Sequence, residues 1–167
     1  MKTIVLTGMM GSGKTTIAKL LSEKLNFKYT DIDFLIEEKE NMKISEIFAQ
    51  KGENYFRKFE QEIILSSFIT GNTIISLGGG AFENPETRKF LLNNSTVIYL
   101  KTSPETIYER IKNNTTRPLL CGKMSVEKID EILRIREKNY ESASIIINTN
   151  NKTPNRIVEE ITGALHD

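Results

Sequence analysis

The sequence contains a single cysteine, a single histidine and no tryptophan. One cysteine excludes an internal disulfide and a thiolate metal site, because each needs more than one sulfur atom. The histidine, His166, lies next to the C-terminus, where we do not expect a buried catalytic imidazole. These shortages exclude disulfide-stabilised proteins and thiolate-metal proteins from the possible classes.

Long apolar runs and an excess of one charge are lacking as well. No run approaches the roughly 20 apolar residues of a transmembrane helix, and the chain passes from Met1 almost directly into a predicted strand, without the apolar core of a signal peptide. The 23 basic and 22 acidic residues leave a formal net charge of +1, which gives no electrostatic basis for binding nucleic acid or an anionic membrane. We therefore expect a cytoplasmic enzyme domain that has neither as a partner.

The length of the chain, 167 residues, fits one α/β domain. A chain of this size buries about 70% of the surface that it exposes when unfolded. No heptad pattern and no large apolar surface run calls for a second copy. We therefore expect a single domain over residues 1–167 that acts as a monomer.

The most informative motif that is present is Gly8-Met9-Met10-Gly11-Ser12-Gly13-Lys14-Thr15. It has the spacing of a Walker A P-loop and stands between an apolar run and a helical pattern, which is the context that this motif requires. Its glycines let backbone N–H groups point at phosphate oxygens, and the following helix adds the positive end of its dipole. Lys14 is predicted to reach the β- and γ-phosphates, and the Thr15 hydroxyl to ligate Mg²⁺. The sequence thus predicts binding of a nucleoside triphosphate through Gly11, Ser12, Gly13, Lys14, Thr15 and Thr16.

Apolar runs alternate with helical patterns along the chain. This alternation is typical of βαβ units and predicts an α/β fold with a parallel sheet flanked by helices. Five runs are predicted to be strands: Thr3–Thr7, Phe27–Thr30, Thr73–Leu77, Thr96–Lys101 and Ser144–Asn148. The clearest helical stripes are Ile17, Leu20, Leu21 and Leu25, and then Phe56, Phe59, Ile63 and Ile64 within Glu53–Phe68.

Three prolines mark predicted helix starts, because each follows a residue that can cap a helix. The pairs are Asn84-Pro85, Ser103-Pro104 and Thr153-Pro154. The fourth proline, Pro118, lies in the polar stretch Asn113–Met124, which fits neither a helix nor a strand. A loop of about a dozen residues in a compact domain is usually functional or disordered.

Two carboxylates follow the second predicted strand, in Asp31-Ile32-Asp33. In extended backbone, residues i and i+2 lie on one side, so Asp31 and Asp33 are expected to face one cavity while Ile32 faces the core. Ligands of open parallel sheets bind beyond the carboxyl ends of the strands. One carboxylate is therefore suited to the Mg²⁺ shell and the other to a hydroxylated acceptor. An aspartate that merely caps a helix explains the pattern about equally well.

Three consecutive glycines, Gly78, Gly79 and Gly80, follow the third predicted strand. Such a run costs backbone entropy, so it indicates a close approach of a ligand to the main chain, with N–H groups available to an anion. Lysines outnumber arginines in the chain, so positions that use the planar guanidinium group are also informative. The candidates for binding an anionic acceptor or phosphates are Arg57, Arg110, Arg117 and Arg136. For each of them a surface ion pair is the alternative, and the sequence does not establish that they converge.

In order along nearly the whole chain, these motifs resemble the shikimate kinase family. The resemblance is carried by the P-loop, Asp31-Ile32-Asp33, Phe56-Arg57, Leu77-Gly78-Gly79-Gly80, Arg117-Pro118-Leu119-Leu120, and Arg136 with Tyr140. A P-loop alone is widely shared, whereas this ordered set is specific among small-molecule kinases. The resemblance implies a P-loop, nucleoside-monophosphate-kinase-like fold in three layers, with five parallel strands, an acceptor-binding region at about residues 31–62 and a short lid at about 112–124.

The resemblance also implies ATP as the phosphoryl donor, with one Mg²⁺ ion. Lys14 and the P-loop amides are expected to hold the phosphates, Thr15 to ligate the metal, and Asp31 to support it through water. Arg117 matches a lid arginine that closes over the phosphates and is expected to be catalytic, as is Lys14. Further ATP contacts are implied at Arg110, Pro154 and Lys152, although the segment around Lys152 has no clear motif.

For the acceptor, the resemblance implies shikimate, phosphorylated on its 3-hydroxyl. Asp33 is expected to be catalytic and to bind the shikimate hydroxyls, either as a base or as an orienting group. Arg57 and Arg136 are expected to bind the shikimate carboxylate. The other expected contacts are Phe48, Phe56, Gly78, Gly79 and Gly80.

Two features depart from the expected pattern. The third predicted strand lacks the terminal aspartate of a Walker B motif, so the metal shell is expected to depend on Thr15, on phosphates and on water-linked Asp31. Cys121 lies in the predicted lid outside any motif, and we interpret it as incidental.

Two other functions fit part of the pattern. One is a kinase of the same fold that acts on gluconate, which also has a carboxylate and hydroxyls, or on a nucleotide. The other is a non-catalytic nucleotide sensor, which should have lost part of the catalytic set. Acceptor-dependent release of ADP distinguishes a kinase from a sensor.

Overall fold

The structure is a computed structural model that describes residues 3–113 and 124–166. These residues contain one sheet of five parallel strands in the order β2-β3-β1-β4-β5. The strands are β1 Ile4–Thr7, β2 Lys28–Asp31, β3 Thr73–Ser76, β4 Thr96–Lys101 and β5 Ile145–Asn148. The predicted five-stranded parallel sheet is confirmed, and each observed strand end lies within one residue of its predicted position.

Helices connect the strands and cover both faces of the sheet. The described ranges contain α1 Lys14–Leu25, α2 Ile32–Glu40, α3 Ile44–Lys51, α4 Glu53–Ser67, α5 Pro85–Asn94, α6 Pro104–Ile111, α7 Val126–Tyr140 and α8 Pro154–His166, with a 3₁₀ turn at Ala81–Glu83. None of the helices in these ranges is both long enough and apolar enough to cross a membrane.

The three helix starts predicted from proline are confirmed. Asn84 accepts the N–H groups of Glu86 and Thr87 at the start of α5, and Ser103 accepts that of Thr106 at the start of α6. At the start of α8, the hydroxyl of Thr153 accepts the N–H of Arg156 at 3.3 Å. Capping oxygens of this kind satisfy N–H groups that have no partner within the helix.

The hydrophobic core lies in two layers, one on each face of the sheet. Alternate strand residues point to opposite faces, so Val5 packs in the cluster with α2, α4 and α7, while Leu6 packs in the cluster with α1 and α8. The central strand β1 pairs with β3 and β4, and its carboxyl end lies between theirs. The predicted three-layer α/β fold is therefore observed, with the carboxyl ends of the strands at one edge.

The prediction that both aspartates lie in extended backbone is wrong. Strand β2 ends at Asp31, and α2 begins at Ile32, so Asp33 lies in the first turn of that helix. Asp31 is the N-cap of α2 and accepts the N–H of Phe34 at 3.1 Å. A carboxylate at the start of a helix is favoured by the unpaired N–H groups there. Ile32 is buried in the core, as predicted.

The predicted lid lies mostly outside the described residues. Arg117, Pro118 and Cys121 all fall in the range 114–123, which the structure does not describe. Helix α6 ends shortly before this range, and α7 begins shortly after it.

Candidate active site

The P-loop joins β1 to α1 at the carboxyl edge of the sheet. Gly11 has a φ of 79°, and a Cβ atom at this position would lie 2.6 Å from a methyl carbon of Ile111 in α6. Both the backbone conformation and the close approach of α6 therefore require glycine. The N–H of Ser12 donates to the carbonyl of Met9 at 3.1 Å and closes the loop before the helix begins.

Lys14 is the first residue of α1 and lies within the P-loop. Its side chain is buried, and Nζ donates to the carbonyl oxygens of Gly8 at 2.8 Å and Met9 at 2.9 Å. The loop that offers its N–H groups to an anion therefore also holds a cation. This combination is suited to a polyphosphate.

A group of oxygen atoms lies beside the start of α1. The hydroxyl of Thr15 donates to Oδ2 of Asp31 at 3.0 Å, and the hydroxyl of Tyr29 donates to the same oxygen at 3.0 Å. Burial, and then the charge of Asp31, raise the pKa of Tyr29, so this phenol remains a donor.

The oxygen atoms of Thr15 and Asp31 are suitable ligands for Mg²⁺, which prefers oxygen and usually keeps several water molecules and substrate phosphates in its shell. In the two described ranges, no cluster of three or more histidine, cysteine, aspartate or glutamate residues could hold a metal by itself. A magnesium site here would therefore use the Thr15 hydroxyl, with Asp31 acting through water.

A cavity of about 950 Å³ opens at the carboxyl ends of the strands. A volume of this size is at the upper end for small-molecule sites. It brings together most of the residues predicted for the two substrates: Gly11, Gly13, Lys14, Thr15, Thr16, Asp31, Asp33, Phe48, Phe56, Arg57, Gly78, Gly79, Gly80, Arg110 and Arg136. Of the described residues predicted for the site, Ser12, Lys152 and Pro154 are not in its lining.

The glycine run after β3 makes room for side chains of the site. Gly80 has a φ of −101°, which any residue adopts, so its requirement is space. A Cβ atom on Gly80 would lie 2.5 Å from Nη2 of Arg57, and one on Gly78 would lie 2.7 Å from Oδ1 of Asp33. On Gly79 it would lie 3.2 Å from the backbone nitrogen of Met10 in the P-loop. The expected close approach is therefore observed, and the groups that approach are the protein's own.

Arg57 and Arg136 converge on this turn from two different helices. The guanidinium of Arg57, on α4, lies against Gly80, and Nη1 of Arg136, on α7, is 3.6 Å from the Cβ position of Gly79. Tyr140, one helical turn after Arg136, donates its hydroxyl to the carbonyl of Gly79 and so attaches α7 to the turn. Two guanidinium groups on one wall can bind a carboxylate through several charged hydrogen bonds.

An aromatic pair lines the cavity beside these arginines. The rings of Phe48 and Phe56 have centroids 4.6 Å apart, and the guanidinium of Arg57 lies 5.2 Å from the centroid of Phe56. A carbon ring with polar substituents would find both an apolar wall and anion-binding groups here.

Arg110 lies across the P-loop. Its Nη1 donates to the carbonyl of Ser12 at 3.1 Å, and its Nη2 donates to the carbonyl of Thr149 at 3.3 Å. Burial lowers the pKa of Arg110. Lys152, in the loop after β5, forms an ion pair with Glu160 at 2.7 Å, and Pro154 is the first residue of α8.

Glu60 belongs to the site and was not predicted. It is 3% exposed, and its Oε2 accepts from Nη1 of Arg57 at 2.8 Å. Its Oε1 has no hydrogen-bond partner among the described residues. A Cβ atom on Gly78 would be 2.9 Å from this oxygen. The sequence contains a signal for it, because Glu60 follows Phe56 by four residues on the buried stripe of α4 that continues with Ile63 and Ile64.

Burial raises the pKa of Glu60 to about 7, against the opposing effect of the Arg57 cation. Between about pH 4.5 and 7, the unfolded chain therefore releases a proton that the folded protein keeps, so this group makes the wild type less stable as the pH rises. A Glu60→Gln variant has no such proton. We therefore expect the free energy of unfolding of Glu60→Gln to increase relative to that of the wild type as the pH rises from 5 to 8, by on the order of 3 kcal/mol in total. Urea unfolding at a series of pH values measures this change.

Glu53→Gln is the matched control for this measurement, since the exposed Glu53 carboxylate also lies beside Arg57, 3.8 Å from Nε. Its stability should follow the wild type across the same pH range. A stability difference between Glu60→Gln and the wild type that stays constant with pH would contradict the raised pKa.

Comparison with known proteins bears directly on this site. A protein-family model described as shikimate kinase matches residues 10–166. The chain belongs to the shikimate kinase family. A shikimate kinase of Sulfurihydrogenibium sp. is 47% identical over 161 residues, which are 96% of each chain. One of Persephonella marina is 44% identical over 165 residues, which are 99% of each chain.

A solved structure of the family has the same fold. The shikimate kinase from Acinetobacter baumannii, determined in complex with shikimate, matches with a TM-score of 0.92 and 32% sequence identity, over 99% of this chain and 93% of that one. The predicted fold class and family are therefore confirmed. As a member of this family, the chain is an ATP-dependent kinase.

Proposed function

We propose that this chain transfers the γ-phosphoryl group of ATP to the 3-hydroxyl of shikimate, a step of the shikimate pathway to chorismate and the aromatic amino acids. The products are shikimate 3-phosphate and ADP. The observation that carries the proposal is one cavity that contains a P-loop, the Asp33 carboxylate and the converging guanidinium groups of Arg57 and Arg136. The solved relative from Acinetobacter baumannii holds shikimate, which supports the same acceptor here.

The acceptor end of the cavity positions the substrate. Arg57 and Arg136 bind the shikimate carboxylate, and Phe48 and Phe56 cover the carbon ring. Because Arg57 is held by Glu60 and fitted against Gly80, its position is set before the substrate arrives. Fixing the acceptor in this way lowers the entropy cost of placing its hydroxyl in line with the phosphoryl group.

Asp33 orients the attacking hydroxyl and accepts its proton or a hydrogen bond from it. Its position in the first turn of α2, against Gly78, places a carboxylate in the cavity. Phosphoryl transfer has a loose transition state, so orientation and charge account for most of the rate.

The donor end stabilises the charge of the phosphates. Lys14 and the P-loop N–H groups bind the phosphate oxygens, while Thr15 and Asp31 would hold one Mg²⁺ per chain. When bound, Mg²⁺ offsets the charge that develops on the transferring group. On the resemblance of the motifs, we assign Arg117, outside the described ranges, to the same task, and Arg110, Pro154 and Lys152 to nucleotide contacts.

We further propose that the chain acts as a monomer in the cytoplasm, where ATP is available, with the two small-molecule substrates and neither nucleic acid nor membrane as partners. The net charge of +1 supports the absence of nucleic acid and membrane partners, since a nearly neutral protein has no strong field to attract either polyanion.

Gly80→Ala is expected to raise the KM for shikimate at least tenfold, because its Cβ atom would overlap the guanidinium of Arg57. The KM for ATP should change little, since the nucleotide end of the cavity is untouched. Steady-state kinetics with each substrate varied in turn measures both values. Gly163→Ala in α8 is the matched control, since nothing lies within 4 Å of a Cβ atom there. An unchanged KM for shikimate in Gly80→Ala would contradict the role of Arg57.

Product analysis tests the proposed reaction itself. The protein is incubated with MgATP and shikimate, and the product is examined by mass spectrometry and ³¹P NMR. We expect a shikimate monophosphate with the phosphorus coupled to the proton at C3. A phosphate on another hydroxyl, or no phosphorylated acceptor, would contradict the proposal.

A further inference from the structure

The Asp31 carboxylate is held by three donors from three parts of the chain. Oδ1 accepts the N–H of Phe34, in the first turn of α2. Oδ2 accepts the hydroxyl of Thr15 from α1 and the hydroxyl of Tyr29 from β2, each at 3.0 Å. Tyr29 and Phe34 both lie outside the P-loop and the motifs that carry the family resemblance, and of these two only Tyr29 donates from its side chain.

The position of the Tyr29 hydroxyl is set by the core of the protein. Tyr29 and Asp31 are two residues apart on β2, so their side chains lie on the same side of the strand. The ring of Tyr29 packs against the hydrophobic cluster between α1 and the sheet, which includes Ile17 and Leu21. The rigid ring therefore carries its hydroxyl to a fixed point beside Asp31.

We infer that Tyr29 is a positioning residue for the metal site, which holds Oδ2 of Asp31 in the orientation that orders the water ligands of Mg²⁺. The inference rests on the magnesium site of the proposed function. Groups that orient the ligands of a metal commonly affect its affinity as strongly as some ligands do.

Thr15 alone cannot hold the Asp31 carboxylate in one orientation. Its hydroxyl has one hydrogen atom and two lone pairs, so when the oxygen ligates a metal, the direction of the remaining O–H bond depends on the geometry of that metal. Tyr29 has no such second task, because it is not a ligand of the proposed metal site and its hydroxyl donates to Asp31 at 3.0 Å. It therefore keeps the carboxylate in place both before and after the metal binds.

Tyr29→Phe tests the inference, because it keeps the ring in the core and removes only the hydroxyl. The measurement is equilibrium binding of a fluorescent ADP analogue to the full chain, titrated with Mg²⁺ and repeated in EDTA. We expect the Mg²⁺ concentration for half-maximal enhancement of binding to rise roughly tenfold or more. Binding of the analogue in EDTA should stay within a factor of two of the wild type.

Tyr55→Phe is the matched control. The hydroxyl of Tyr55 also donates to a carboxylate, that of Glu40 at 2.6 Å, in a surface contact between α4 and α2. This variant should retain the Mg²⁺ dependence of the wild type.

An unchanged Mg²⁺ dependence in Tyr29→Phe would overturn the inference. A similar loss of affinity with Mg²⁺ and in EDTA would overturn it too, because it would mark a general structural role. A wild type without any Mg²⁺ effect would overturn the metal site and the inference together. Failure of the proposed reaction would appear separately, as a lack of shikimate-dependent ADP release, which this binding measurement does not use.

Discussion

Replacing Lys14 with methionine is expected to lower kcat roughly a thousandfold, in line with the loss of one preorganised charge or donor at a reacting centre. Methionine keeps most of the length of the buried side chain but removes the ammonium group from the P-loop. The carbonyls of Gly8 and Met9 also lose their donor, so we expect a stability loss of about 1–3 kcal/mol. Coupled ADP release measures kcat, and thermal unfolding shows whether the fold is retained.

Lys19→Met is the matched control for this variant. Lys19 lies on the same helix, five residues after Lys14, and is exposed. Its replacement removes a positive charge of the same kind near the same loop, so it shows whether net charge alone matters. We expect kcat to stay near the wild-type value. If the folded Lys14→Met variant also kept normal turnover, the role of Lys14 would be refuted.

Asp33→Asn is expected to lower kcat by roughly a hundredfold or more, the range associated with a lost proton acceptor or orienting charge. Asparagine keeps the shape of the side chain and its place against Gly78, but it has no negative charge with which to attract the acceptor hydroxyl. Equilibrium binding of ATP should be unaffected. Single-turnover phosphorylation of shikimate measures the loss in the chemical step.

Asp130→Asn is the control for this second variant. Asp130 lies on α7 and pairs with the exposed Arg134 at 2.7 Å, and it is not in the cavity lining. Exposed pairs of this kind contribute little to stability, so both activity and stability should remain near those of the wild type. Unchanged turnover in Asp33→Asn would exclude Asp33 both as a base and as an orienting group.

The sheet could be predicted from the sequence because its strands are short apolar runs with clear boundaries. β1, β3 and β4 are buried on both faces, which produces continuous apolar stretches. Helix starts were predictable for a related reason, since a capping oxygen followed by proline has a specific local role. Helices α2 and α3 were not predicted, because they are short and follow each other within a few residues.

The backbone around Asp31 was predicted incorrectly although both aspartates do line the cavity. The alternation rule for strands holds only as far as Asp31, which caps α2, whereas Asp33 lies two residues further on, in the first turn of that helix. The capping alternative was thus correct about the local structure, and it is compatible with a place in the metal site. One carboxylate oxygen accepts the Phe34 N–H, and the other faces Thr15.

That Arg57 and Arg136 converge could not be predicted from the sequence, because it depends on how the fold brings their helices together. The two arginines are 79 positions apart in the sequence, on α4 and α7, and meet at the glycine run after β3. Glu60 was missed because a charged residue on a buried stripe is read as an interruption of the helical pattern. Its burial beside Arg57 identifies it as part of the site.

The most direct test of the account is coupled ADP release with MgATP and a panel of acceptors: shikimate, gluconate, nucleoside monophosphates and none. The cavity predicts turnover that requires shikimate, with only slow ATP hydrolysis in the other reactions. Turnover with gluconate or a nucleotide instead would contradict the assignment of the acceptor pocket. ATP binding without acceptor-dependent turnover would contradict the assignment as a kinase and favour a nucleotide sensor.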